Sequence, residues 1–340
     1  MPNVLLLHTN TEYATSLSDT ITSLDTKYDV DVVSREPLLT RVRHLLDDKY
    51  DIVQVDELLV NGVLAGGGSV LSRTPFVVAI RGWADYTNAH DQYGRFRNLT
   101  INLRSKLVLR AASETIFLSE RTCEEFSEHY TVGKSSVIGR PIDIDYYRGI
   151  DGKKTVLENT DRFELLTVTN LRYADKFEGV KTILQGLSKL FEQHPDLRYS
   201  IAGDGTYQES LEKFLHTYPY ADRVNVLGYR EDIPQLLTNA DAFVYVSFLD
   251  AYPTVVLEAQ AAGLPVVGGD AVGVPEVVGE AGLICPTTPD GIEDAVGRVI
   301  VDQDLRAELS EKSAAKMETY NEKCARRHIE VWDDVVDYSR

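Results

Sequence analysis

The residues with the clearest chemical potential lie between Ser247 and Glu258. An apolar run ends at Ser247, a short segment turns through Pro253, and a helical pattern begins near Thr254. The first turn of a helix has unpaired backbone N–H groups and the positive end of the helix dipole, so it suits a phosphate or a sugar oxygen. Glu258 lies about one turn inside the helix and can reach back to the same point. The segment therefore predicts an anion- or sugar-binding turn.

Two stretches of alternating strands and helices must position these residues. Short apolar, β-branched runs alternate with amphipathic segments on both sides of a polar, glycine-bearing linker near 150, a pattern typical of parallel sheets covered by helices. We predict an α/β protein with doubly wound, Rossmann-like domains at 1–150 and 151–315, and a helix over about 316–340 that packs back on the first. Because ligands lie at the carboxyl ends of such strands, the domains are expected to face each other across a cleft. The predicted strands are Val4–His8, Val30–Val33, Ile52–Val55, Phe76–Ile80, Thr115–Ser119, Ser136–Ile138, Phe163–Thr169, Leu197–Ala202, Val224–Leu227, Ala242–Val246, Leu264–Gly268 and Leu283–Cys285.

Composition limits the classes of protein to which the chain can belong. Its 340 residues are 43% hydrophobic, enough for two globular domains, and its net charge of −18 argues against a nucleic-acid partner. Three scattered cysteines and seven scattered histidines predict neither a disulfide framework nor a metal site, so the reducing cytoplasm is the expected location. Asp exceeds Glu and Arg exceeds Lys, a balance that resembles proteins of halophilic archaea; the alternative is an ordinary acidic cytoplasmic protein.

The segment around Asp250 resembles the retaining GT-B glycosyltransferases of the large group 1 family (glycosyltransferase family four). Members have an apolar strand ending in Ser, a Glu-Gly-aromatic-Pro loop, a second Glu about eight positions after the first, and a small-Gly-x-Pro-Val segment. The corresponding residues here run from Ser247 through Asp250 and Glu258 to Val266, and Gly273–Val278 resembles the family's next motif. Further motifs match upstream in the family's order, at Phe163–Arg172 with Lys176, Leu197–Gly205 and Val224–Gly228.

The resemblance implies a hexosyltransferase-type reaction that moves a sugar from a nucleotide diphosphate sugar with retention of configuration, without a metal or other cofactor. The leaving diphosphate gains negative charge, which fixed cations and helix-end amides must then neutralise. By resemblance, Glu258 holds the ribose hydroxyls and the backbone near Tyr229 holds the base. The implied catalytic residues are Asp250, Arg172 and Lys176, and the implied donor-binding residues are Arg172, Lys176, Gly228, Tyr229, Arg230, Ala251, Tyr252, Pro253, Thr254 and Glu258.

Two residues depart from the family pattern. Asp250 stands where Glu is usual, which draws the carboxylate back by about 1.5 Å, and Ala251 replaces a glycine, which disfavours a positive φ. We expect either a changed donor preference or reduced catalytic competence. Asp250 is not predicted to be a nucleophile, because in this family the reaction is thought to occur at one face of the sugar while the leaving phosphate takes the acceptor proton.

The first domain matches the family less closely and is expected to hold the acceptor. Its first loop lacks the family's glycines, and Thr9 and Asn10 in that loop are acceptor-side candidates. Arg81 begins a segment that resembles the family's His/Arg-Gly-x-x-Asp motif, where it can contact sugar or phosphate or form a structural ion pair. Gly66–Gly68 lacks a following Lys-Ser/Thr, so a loop or a helix end is expected there instead of a phosphate-binding loop.

Two other functions stay open at this level. One is a protein that binds nucleotide sugar without transferring it, suggested by Asp250, Ala251 and the glycine-free first loop. The other is a nucleotide-sugar epimerase, which needs acid and base groups in the cleft that the sequence does not show. The donor base, the sugar and the acceptor are not specified by the sequence.

Residues 93–110 carry five cations and no acid. At helical spacing Phe96, Leu99, Leu103 and Leu107 share one face. One interpretation is a peripheral contact with the anionic cytoplasmic face of a membrane, which would suit a lipid-linked glycan as the acceptor. The other is a helix buried against the first sheet whose cations line the cleft or pair with nearby carboxylates.

Overall fold

The computed structural model describes residues 2–24, 27–58, 60–80, 95–148 and 162–339. The chain forms two compact units, one of Met1–Ile142 with Thr319–Arg340 and the other of Asp143–Glu318. Each unit has a six-stranded parallel sheet with helices around it. The predicted class, an α/β protein with two doubly wound domains, is therefore confirmed.

The sheet of the first unit has the strand order β2-β1-β3-β4-β5-β6. From β1 the chain moves outward to β2 and then crosses to β3 on the other side, so β1 and β3 flank the point where the winding direction reverses. The strands are β1 Asn3–His8, β2 Asp29–Ser34, β3 Ile52–Val55, β4 Phe76–Ile80, β5 Glu114–Phe117 and β6 Ser135–Val137. The helices are α1 Thr11–Ser23, α2 Leu38–Leu45, α3 Asn61–Ser72, α4 Arg95–Ala111, α5 Glu120–His129 and, after the second unit, α14 Tyr320–Ser339.

The sheet of the second unit has the order β12-β11-β10-β7-β8-β9, so the winding reverses between β7 and β10. The strands are β7 Phe163–Val168, β8 Leu197–Ala202, β9 Val224–Gly228, β10 Ala242–Tyr245, β11 Val266–Gly269 and β12 Gly282–Cys285. The helices are α6 Ile144–Arg148, α7 Ala174–Gln193, α8 Gln208–Leu215, α9 Ile233–Asn239, α10 Thr254–Ala261, α11 Val274–Val278, α12 Pro289–Val301 and α13 Gln303–Glu318.

Each of the twelve predicted strands overlaps an observed one, because central parallel strands are covered on both faces and read as unbroken apolar runs. The helix expected over about 316–340 is instead the end of α13 and then α14, with a break at Thr319. Helix α14 packs in the first unit, where the indole N–H of Trp332 donates to Gln54 Oε1 at 2.9 Å. Among the described residues, no helix is both long enough and apolar enough to cross a membrane.

Two expectations about the first unit need correction. Gly66–Gly68 lies inside α3 and is neither a loop nor a helix end, since α3 runs from Asn61 to Ser72. In α4 the leucine row at Leu99, Leu103 and Leu107 faces outward, while Ile101, Ser105, Val108 and Leu109 are buried. Helix α4 does pack on the core of the first unit, as one interpretation expected, but through these buried residues and not through the leucine row. Phe96 belonged to the same predicted face, but its side chain lies outside the described part of the chain.

Candidate active site

The predicted donor residues meet at the carboxyl edge of the second sheet, where its winding reverses. Arg172 follows β7, Lys176 lies in the first turn of α7, and Asp250 follows β10. Strands β7 and β10 are hydrogen-bonded neighbours at this reversal point. An open α/β sheet has its natural ligand crevice at such a point, because the connections on either side leave in opposite directions.

An ion pair joins two of these residues. Lys176 Nζ lies 2.7 Å from Asp250 Oδ2, and the two side chains are 8% and 20% exposed. The hydroxyl of Tyr245 donates to the same carboxylate oxygen and lies 3.3 Å from Lys176 Nζ. Burial and the neighbouring Asp250 charge raise the pKa of Tyr245 well above its ordinary value, so the phenol stays protonated. The result is a compact cluster of ammonium, carboxylate and phenol groups.

Gly179 explains how Lys176 reaches the end of β10. It lies three residues after Lys176 and therefore on the same side of α7. A Cβ atom at Gly179 would collide with the carbonyl oxygen of Val246, just after β10. The glycine thus allows α7 to approach β10 closely, and the preceding turn of the helix places the lysine ammonium beside Asp250.

The loop that carries Asp250 is held from two sides. Ser247 Oγ accepts the backbone N–H groups of Leu249 and Asp250, each at 3.2 Å. The N–H of Gly273 donates to the Asp250 carbonyl at 3.0 Å, and a Cβ atom at Gly273 would overlap the Ala251 carbonyl. Helix α10 begins directly after this loop at Thr254, and its N-cap, Pro253, has no side-chain acceptor for the first-turn amides. The Val256 N–H donates to the Pro253 carbonyl at 3.1 Å, and no side-chain cap in the described residues takes the N–H groups of Thr254 and Val255, so these two amides can bind an anion.

Arg172 lies at the same edge on an exposed loop after β7. A tight turn at Gly203–Gly205 supports this loop, and both glycines have a positive φ. A Cβ atom at Gly203 would collide with the Thr169 carbonyl, and one at Gly205 with the backbone of Leu171. The turn leads into α8, as the sequence predicted. Within the described residues, no hydrogen bond or ion pair engages the guanidinium group of Arg172.

The other predicted donor residues follow β9 and line α10. Gly228 has a positive φ and its carbonyl accepts the N–H of Gly203 at 2.7 Å. Tyr229 has an exposed ring, and Arg230 forms an ion pair with Asp232 that lowers the pKa of this carboxyl group. Tyr252 and Glu258 are half-buried in the loop before α10 and in its second turn.

The acceptor-side candidates of the first unit lie where its sheet reverses. Thr9 follows β1, and its N–H and hydroxyl both bond to Asp56 Oδ2, at 2.8 and 2.5 Å. Asn10 caps α1, with Oδ1 accepting the N–H of Tyr13 at 2.9 Å. Asp56 also accepts a hydrogen bond from Asn61. Arg81 lies outside the described residues.

Two polar residues of these clusters were missed at the level of sequence. Tyr245 was assigned only to an apolar strand, although a tyrosine near the carboxyl end of a central strand is a place where a polar tip can reach a ligand site. Asp56 directly follows the buried strand β3 at the ligand edge, and this position was a sufficient signal. No cluster of three or more His, Cys, Asp or Glu side chains suited to a metal ion occurs in the described ranges.

Comparison with known proteins agrees with this geometry. Two doubly wound units with a ligand edge on each sheet define the GT-B fold, and the structure of HepE from Anabaena in complex with UDP and glucose shares it. Its TM-score is 0.75 at 18% identity, over 98% of this chain and 100% of that one. Residues 151–316 match the model of the family described as glycosyl transferases group 1.

The curated relatives include proteins named as glycosyltransferases. The N-acetyl-alpha-D-glucosaminyl L-malate synthase of Bacillus anthracis is 25% identical over 51% of this chain and 45% of its own length. The N,N'-diacetylbacillosaminyl-diphospho-undecaprenol alpha-1,3-N-acetylgalactosaminyltransferase of Campylobacter jejuni is 33% identical over 69% of this chain and 64% of its own length. The chain thus matches less than two thirds of the length of either relative.

Proposed function

We propose that this protein is a glycosyltransferase that moves a sugar from a nucleotide diphosphate sugar to a glycan or lipid-linked acceptor, with retention and without a metal ion. The observation that carries the proposal is the buried Lys176–Asp250 pair at the reversal point between β7 and β10. The names of the relatives and the UDP bound to HepE support a nucleotide-sugar donor.

The charges of the cluster suit a diphosphate. A buried ammonium group is costly without a counter-charge, and Asp250 supplies it. Lys176 has three N–H donors, of which Asp250 and Tyr245 occupy two. One donor is left for a phosphate oxygen. The exposed guanidinium group of Arg172 adds a second cation at the same edge, and the first amides of α10 add hydrogen-bond donors. These groups stabilise the charge that grows on the leaving phosphate.

The proposed retention does not use Asp250 as a nucleophile. Its carboxylate accepts from both Lys176 and Tyr245, and these contacts lower its reactivity as a nucleophile. In the proposed reaction the glycosidic bond to the nucleotide breaks while the acceptor oxygen forms its bond on the same face of the sugar. The departing phosphate oxygen takes the acceptor's hydroxyl proton. Asp250 orients Lys176, and Glu258 holds the ribose hydroxyls.

The acceptor is assigned to the first unit, at the edge that carries Thr9 and Asn10, with Arg81 as a further candidate. The name of the Campylobacter relative includes a diphospho-undecaprenol acceptor, which supports a lipid-linked glycan here. Helix α4 within 93–110 presents an outward leucine row and cations. We therefore place the protein in the cytoplasm, with a peripheral contact at the cytoplasmic face of the membrane.

The experiment that tests the function is transfer from UDP-, GDP- and ADP-hexoses to a panel of glycan and lipid-linked acceptors. Release of nucleoside diphosphate gives the rate, and NMR of the new linkage gives the anomeric configuration. Lys176→Ala should abolish most of the rate, whereas Lys189→Ala, which alters an exposed ion pair on the same helix, should not. Nucleotide binding without transfer to any acceptor would show that the chain is a binding protein and not a transferase.

A further inference from the structure

Helices α2, α3 and α4 form one continuous layer on the first unit. Helix α3 is rich in glycine, and two of its glycines lie at the contacts with its neighbours. A Cβ atom at Gly62 would lie 2.9 Å from Val108 Cγ1 in α4, and one at Gly68 would lie 3.2 Å from Leu45 Cβ in α2. Glycine is less favourable than alanine inside a helix. Close packing against α2 and α4 explains why glycine occupies these two positions of the helix.

The outer surface of this layer is apolar. Of the fifteen large hydrophobic side chains that are exposed in the described ranges, ten lie on these three helices or at their ends. The exposed fractions reach 83% at Leu39, 79% at Val70 and 65% at Leu99. The ten are Leu38, Leu39, Leu46, Val60, Val63, Val70, Leu71, Leu99, Leu103 and Leu107. A concentration of this kind marks an interaction surface, because isolated exposed hydrophobics are otherwise scattered.

The charge of the layer is the opposite of that of the whole protein. The chain has a net charge of −18, yet the sequences of α2, α3 and α4 contain no Asp or Glu. Arg43, Arg104, Lys106 and Arg110 are exposed on these helices, and Arg73 is exposed at the end of α3. In α4 the cations Lys106 and Arg110 lie at helical spacing from Leu103 and Leu107, on the outward side.

We propose that this α2–α3–α4 layer docks on an anionic lipid bilayer, with its leucine and valine side chains in the interface and its cations at the headgroups. A bilayer fits better than a second copy of the chain, because a symmetric dimer would bring the same cations together. The cations are attracted to the anionic headgroups, and the apolar side chains add their burial in the interface. The layer extends the membrane contact from residues 93–110 to three helices.

This proposal rests on the proposed function, because a lipid-linked acceptor is the reason for a membrane contact. Hydrogen bonds in the first unit connect the helix layer to the acceptor edge. The guanidinium of Arg41 in α2 donates to Asn61 Oδ1 at 2.6 Å, and Asn61 donates to Asp56, which holds Thr9. The first turns of α2 and α3 are thus bonded directly to the acceptor edge of the first sheet. A bilayer under this layer would place a lipid-linked sugar beside that edge.

The test is co-sedimentation with phosphatidylglycerol and with phosphatidylcholine vesicles at low salt. The wild type should sediment with the anionic vesicles only. Val70→Ser/Leu71→Ser in α3 and Leu103→Ser/Leu107→Ser in α4 should each lower the partition coefficient at least about tenfold, as should Arg104→Glu/Lys106→Glu. Val301→Ser, which alters an exposed side chain of the second unit, is the matched control and should sediment like the wild type.

Three results would overturn the proposal. They are a wild type that stays in the supernatant with anionic vesicles, an α3 variant that sediments like the wild type, and a dimer in sedimentation velocity that the leucine variants dissociate. The vesicle assay needs no turnover, and the variants leave the nucleotide residues of the second unit intact. Vesicle binding without sugar transfer would therefore refute the proposed function alone.

Discussion

Lys176→Met removes the ammonium group from the candidate active site and keeps most of the side-chain length. The Asp250 carboxylate, only 20% exposed, then loses its cation. Removing one partner of a buried ion pair costs about 3–5 kcal/mol, and the partial exposure of Asp250 places the expected loss near the lower end, about 3 kcal/mol. At about 2–4 °C per kcal/mol, the melting temperature of the second unit should fall by about 6–12 °C.

The double variant Lys176→Met/Asp250→Asn separates stability from catalysis. Because it removes both charges, most of the lost stability should return in urea unfolding followed by circular dichroism. Sugar transfer should remain about 10²–10³-fold slower than in the wild type, since the phosphate contact is still missing. Lys189→Met breaks an exposed pair with Glu293 and serves as the control, with an expected change within about 0.5 kcal/mol.

Either of two results would refute this reasoning. If Lys176→Met unfolds at the same urea concentration as the wild type, the ion pair is not a buried structural contact. If the double variant transfers sugar at the wild-type rate, Lys176 does not contact the leaving group.

Four further predictions follow from other contacts. Tyr245→Phe should lower the transfer rate by about tenfold with circular dichroism unchanged, because Asp250 loses one charge-assisted hydrogen bond; an unchanged rate would remove Tyr245 from the site. Gly179→Ala should destabilise the second unit by at least about 2 kcal/mol in urea unfolding, because the new Cβ collides with the Val246 carbonyl. Gly67→Ala has open space around its new Cβ and should stabilise the first unit by about 1 kcal/mol. Equal effects of the two substitutions would contradict the packing. Burial lowers the pKa of His328 to about 4 from 6.5. Below pH 6.5 the unfolded chain therefore binds a proton that the folded chain does not, and this group should lower the free energy of unfolding by about 2 kcal/mol between pH 7 and pH 5. The free energy of unfolding of His328→Gln should depend less steeply on pH, and a slope identical to that of the wild type would disprove the assignment. Transfer should persist in EDTA, because the lysine and arginine already serve the diphosphate, and rescue of a chelated, inactive enzyme by Mg²⁺ would refute metal independence.

The sequence predicts the sheets well because their strands carry the strongest local signal. Strands such as Phe76–Ile80 and Ala242–Tyr245 are buried along their whole length, so every residue is apolar or nearly so. The sequence does not predict helix α3, because its local signal is weak. Its glycines have low helix propensity, and only the tight contacts with α2 and α4 show why they lie in a helix.

The candidate site also combines residues that the sequence predicts with contacts that it does not. Lys176 and Asp250 could be named from the order and spacing of the segments that resemble the group 1 motifs. Their direct ion pair and the Tyr245 hydroxyl between them depend on how closely α7 approaches β10. That distance is set by Gly179 against the Val246 carbonyl, a contact between residues far apart in the chain. Local pattern carries no information about such long-range approaches.

The proposed function depends most directly on where the nucleotide diphosphate binds. The deciding measurement is calorimetric titration of UDP, GDP and ADP into the wild type and into Arg172→Ala/Lys176→Met. We expect at least one nucleotide to bind the wild type at a single site. The double variant, still folded by circular dichroism, should bind it at least about 100-fold more weakly. Equal affinity in the two proteins would show that the diphosphate lies elsewhere and would contradict the assignment of the site.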